Sequence, residues 1–86
     1  MDKPRLLSHL GNIDMQAKLP LVELAGYRRV LIENHTGVLA YSPEEITVRV
    51  SYGCLQITGE NMMLAEMRQE QLVITGQISS VIMHRR

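Results

Sequence analysis

Between residues 46 and 51 the chain alternates strictly. Ile46, Val48 and Val50 share one face of an extended strand, and Thr47, Arg49 and Ser51 share the other. A helix, with a period of about 3.6, would scatter those apolar residues around its axis. Glycines at Gly26, Gly37, Gly53, Gly59 and Gly76 separate further runs rich in Val, Ile, Leu and Thr. That is the rhythm of short strands joined by turns. The fold expected is all-β: a small antiparallel meander folded into a sandwich or barrel-like sheet.

The alternation suggests a register. A tight turn at Tyr52-Gly53 pairs Val50 with Leu55, Arg49 with Gln56 and Val48 with Ile57, apolar against apolar and polar against polar. A second turn at Gly59-Glu60 carries the same face onward, pairing Ile57 with Met62 and Leu55 with Leu64, so three strands share a core face. Leu72 to Thr75 and Gln77 to Met83 read as two more strands after a polar connection at Arg68 to Gln71. Upstream, Arg29 to Glu33 and Val38 to Tyr41 flank Asn34-His35-Thr36-Gly37, which reads as a hairpin loop. Ser42-Pro43-Glu44-Glu45 resembles a helix cap, but the alternation that follows favours a turn. Leu55-Gln56-Ile57-Thr58-Gly59-Glu60 echoes Leu72-Val73-Ile74-Thr75-Gly76-Gln77, and is read as two similar hairpin corners rather than a repeat array.

With 86 residues the chain supports one thin core. Its only aromatics are Tyr27, Tyr41 and Tyr52, so Val, Ile, Leu and Met must fill it. Residues 1–19 form an N-terminal arm ahead of a β domain at residues 20–86. Leu6, Leu7, Leu10 and Ile13 have helical spacing, so Pro4 to Gln16 can be a short amphipathic helix or a docking arm.

Nine Lys and Arg balance nine Asp and Glu. No net field favours nucleic acid or an anionic bilayer, and Arg28-Arg29 and His84-Arg85-Arg86 are read as solvated faces. No apolar run approaches the length of about 20 residues that spans a membrane. The single Cys54 excludes an intrachain disulfide and fits a reducing compartment.

The segments Ile32-Glu33-Asn34-His35-Thr36-Gly37, Gly53-Cys54-Leu55-Gln56-Ile57-Thr58-Gly59 and Val73-Ile74-Thr75-Gly76-Gln77-Ile78, in that order, resemble the YabP/YqfC sporulation-protein family, closer to the YqfC branch. The resemblance runs from about Leu19 to Met83. It implies a protein of the mother-cell cytoplasm of a sporulating bacterium, acting near the forespore envelope or coat. It carries over no enzymatic activity and no catalytic residues.

The residues agree with a non-catalytic reading. Cys54 as a nucleophile needs an oriented base, and His35 is the only plausible partner. Cys54 instead shares a polar strand face with Arg49, Gln56 and Thr58. His9, His35 and His84 are dispersed, so no metal site is expected, and no glycine-rich loop calls for a nucleotide or other cofactor. The densest polar cluster, Glu33-Asn34-His35, either folds its own loop or contacts a partner; these three are the candidate partner-binding residues. Met62, Met63, Met67 and Met83 cannot all face one core, which leaves some for an adaptable surface. Bare strand edges add pairing between copies as a further expectation.

The leading functional expectation is thus an adaptor or structural component in spore envelope or coat assembly, working through protein partners. The alternative is a small-ligand-binding or regulatory β module, and an open sheet with a bare edge distinguishes the first from a closed barrel with a cavity.

Overall fold

The computed structural model describes residues 19–86. The proposed helix or arm at Pro4 to Gln16 lies outside them. Six strands follow in chain order: β1 (Leu21–Ala25), β2 (Arg29–Glu33), β3 (His35–Tyr41), β4 (Glu45–Val50), β5 (Gly53–Met67) and β6 (Gln71–Arg85). They form one antiparallel sheet in the order β1-β2-β6-β5-β4-β3, open between β1 and β3. The all-β antiparallel class expected from the alternation is the one observed.

The sheet folds over on itself. Val30, Ile32, Leu72 and Ile74, from one end of the strand order, share a single buried cluster with Ile46, Val48, Val50, Leu55 and Ile57 from the other. One layer contains β3, β4, the start of β5 and the end of β6. The other contains β1, β2, the start of β6 and the end of β5. Each 15-residue strand of the β5–β6 hairpin therefore serves both layers.

The fold line is written into the two echoed segments. The β5–β6 register shifts between Thr58 and Gly59 and again between Glu60 and Met63, and Asn61 takes a φ of 53° there. A Cβ on Gly59 would run into the carbonyl oxygen of Gln77, and one on Gly76 would lie 2.7 Å from the Cα of Met62. Only glycine lets the two backbones approach this closely at the bend.

Around that line the halves match. The flanking turns offer carbonyl acceptors equivalently: the Gly59 and Met62 amides donate to Glu44 and Pro43 (3.1 and 2.9 Å), and the Gly76 and Ile78 amides to Arg28 and Tyr27 (3.1 and 2.7 Å). The core consists of equivalent cross-strand pairs, Ile46–Ile57 and Val48–Leu55 in one layer, Val30–Ile74 and Ile32–Leu72 in the other. All eight side chains are buried, each worth about 1.5–3 kcal/mol of apolar transfer.

Several expectations about connections are corrected. The β4–β5 turn is Ser51-Tyr52, so Val48 pairs with Leu55 and Arg49 with Cys54. Moving the turn by one residue changes each partner by two, which keeps every side chain on its expected face. Gly59-Glu60 is a bend within β5, not a turn, so Ile57 does not pair with Met62 and there is no three-stranded meander from Ile46 to Leu64. Likewise Leu72 to Thr75 and Gln77 to Met83 belong to the one strand β6, and the echoed segments are bends rather than hairpin corners. Asn34 to Gly37 does not close a hairpin either: β2 pairs with β1 and β6, β3 pairs with β4, and the chain crosses between layers at Asn34. Ser42 to Glu44 does form a turn, its Ser42 hydroxyl accepting the Glu45 amide at 3.0 Å.

Candidate interaction surfaces

The segment Glu33-Asn34-His35 occupies the crossover. Asn34 has a φ of 67°, a left-handed conformation that Asn tolerates better than most residues. This turns the chain so that its amide donates to the Glu70 carbonyl at 2.7 Å, while its side-chain Nδ2 donates to the Leu19 carbonyl at 2.9 Å. His35 opens β3 opposite Val50 and is only 6% exposed. Its Nε2 lies 3.1 Å from the Arg68 carbonyl oxygen. A carbonyl can only accept, so the Nε2 hydrogen is the donor, while Nδ1 is buried without a partner among the described residues.

Asn34 and His35 thus clamp the tip of the β5–β6 hairpin onto the crossover. Glu33, paired with Leu21 and Gln71, faces a depression of about 390 Å³ that it lines with Asn34 and residues 68–71. Of the three candidate partner-contact residues, Glu33 and Asn34 reach this surface and His35 turns inward.

Cys54 sits on the polar face predicted for it, but its neighbours differ from expectation. The register places it between Arg49 on β4 and His84 on β6, whereas His35 is in the buried clamp. His84 is oriented by a hydrogen-bond chain: its Nε2 donates to the Gln56 Oε1 at 2.8 Å, and the Gln56 amide donates to the Glu45 Oε2 at 2.8 Å. Sequence reasoning missed His84 because its approach to Cys54 depends on the long-range register of β5 against β6. Among the described residues no group of three or more His, Cys, Asp or Glu gathers as a metal site, and no helix is long and apolar enough to cross a membrane.

Of the methionines near the end of the chain, Met62 is buried, while Met63, Met67 and Met83 are exposed. Met83 lines a depression of about 670 Å³, together with Leu19, Pro20, Val50 and Tyr52 and the basic end of β6. A smaller one of about 370 Å³ shares Val50, Gly53, His84, Arg85 and Arg86 with it and adds Arg49 and Cys54. Arg49 comes from β4, so the basic group at the end of β6 is larger than the sequence neighbours suggested.

Comparison with known proteins agrees with the three ordered segments. The chain is 29% identical over 68 residues to the uncharacterized protein YqfC of Bacillus subtilis (strain 168), a match covering 79% of this chain and 73% of that protein. The YabP family model matches residues 16–86, the whole described sheet included, and the chain belongs to the YabP family.

Proposed function

We propose that this protein is a non-catalytic adaptor or structural component of spore envelope or coat assembly, acting through protein partners in the mother-cell cytoplasm and recruited to the forespore surface. Family membership supports a sporulation-related protein. The observation that carries the adaptor reading is the open sheet: β1 and β3 are both edges, with Leu21 and Leu24 exposed on one and Leu39 and Tyr41 on the other. Unpaired backbone beside exposed apolar side chains is what an added strand recognises. The same edges support association between copies. Glu33 and Asn34, at the mouth of the crossover depression, are a second contact region in this proposal, with His35 supporting them from below.

Crosslinking a tagged copy in sporulating cells tests the reading. Capture of spore envelope or coat proteins is expected, and recovery of housekeeping proteins alone would overturn it.

A further inference from the structure

Beside the crossover, where Asn34 bonds to Leu19 and His35 pairs with Val50, the last part of β6 has one partner strand among the described residues. Residues 80–85 of β6 pair with residues 53–58 of β5, but β2 accompanies β6 only as far as Thr75, and the β1–β2 turn only to Ile78. Among the described residues the other edge of this stretch is unpaired. The core face is uncovered at the same place: Leu55 is 1% exposed, yet Met83 directly across from it is 56% exposed. A bare backbone edge and an uncovered apolar face coincide there.

The surroundings carry one sign of charge. Arg49, Arg85 and Arg86 line the two adjoining depressions, and no Asp or Glu is among the described residues that line either. In a chain of zero net charge this is a local concentration of positive charge.

We propose that the free edge of β6 at residues 80–85 takes an extended, acidic segment of a partner protein as an added strand. Its apolar side chains alternate into the groove over Met83, Val50 and Leu19, and its carboxylates meet the arginines. This rests on the adaptor reading and names the surface and chemistry of the partner. Residues 1–18 are a poorer occupant, since they carry three basic residues (Lys3, Arg5, Lys18) and two acidic ones (Asp2, Asp14). The other edges suit an acidic strand less well: β1 is short with Glu23 at its centre, the β3 ladder is broken by two register shifts, and the stretch of β5 that β4 leaves unpaired carries Glu66.

The test is an amide NMR titration of the full chain with a capped synthetic peptide alternating valine and glutamate, and with a control carrying lysine for glutamate. Signals of residues 80–85 should move with the acidic peptide and not with the control, and the affinity should fall as salt is added. The double variant Arg85→Glu, Arg86→Glu should bind the acidic peptide about tenfold more weakly with an otherwise unchanged spectrum. Movement confined to β1 or β3, equal binding of both peptides, unchanged affinity of the variant, or no movement would each overturn the proposal. In sporulating cells, capture of envelope proteins that survives the double variant would overturn this edge and leave the adaptor reading standing. Loss of capture by the double variant alone would support the edge.

Discussion

The two layers bury equivalent cross-strand pairs behind equivalent bends, but the chain reaches them by different routes. In the layer of β3 and β4, strand β4 turns directly into β5 through Ser51-Tyr52. In the layer of β1 and β2, strand β2 meets its partner β6 only after the chain has crossed to the other layer, made β3, β4 and β5, and returned. One layer is held by a local turn, the other by a long-range closure that Asn34 and His35 fasten to the hairpin tip. Equivalent packing therefore does not imply equivalent dependence on single residues, because closing a long loop costs more entropy than closing a short one.

The largest effect should come where the layers are alike. Gly76→Ala and Gly59→Ala each force a Cβ into facing backbone, and each should destabilise by more than about 3 kcal/mol or prevent folding, measured by chemical denaturation. If one were tolerated and the other not, the equivalence of the two bends would be broken. A smaller effect should fall on one layer only. His35→Ala removes the bond to the Arg68 carbonyl and leaves a space in the crossover, so a loss of about 1–3 kcal/mol is expected. Hydrogen exchange should then quicken in β1 and β2 before β4; a uniform change would remove the distinction between local and long-range closure. The smallest effect should be a gain. Tyr52 is 64% exposed and has a φ of 69°, so Tyr52→Gly should relieve backbone strain and stabilise by about 0.5–1 kcal/mol, raising the denaturation midpoint. A loss would show that the tyrosine ring contributes packing.

Much of this plan was legible in the chain. Period-two alternation identified β4, the start of β5 and the faces of Ile46, Val48, Leu55 and Ile57, because burial of one face of a sheet imposes that pattern directly. It placed Cys54 on the polar face for the same reason. It did not distinguish a glycine that reverses the chain from one that bends a continuing strand, since Gly59 and Gly76 offer the same freedom to both. Nor could it show that Glu33 to His35 crosses between layers, which depends on the hairpin tip arriving from 33 residues further on to accept the His35 hydrogen bond. The ordered segments were enough to indicate a family, while the basic cluster of Arg49 with Arg85 and Arg86 required the register of three strands.

Because β5 and β6 each begin in one layer and end in the other, neither layer contains a contiguous piece of chain that could stand alone. Cutting at the hairpin tip, residues 68–70, would give two fragments, each holding part of both layers and neither able to complete its half of the core. Such fragments should gain structure only on mixing, and the intact sheet should unfold in a single cooperative step.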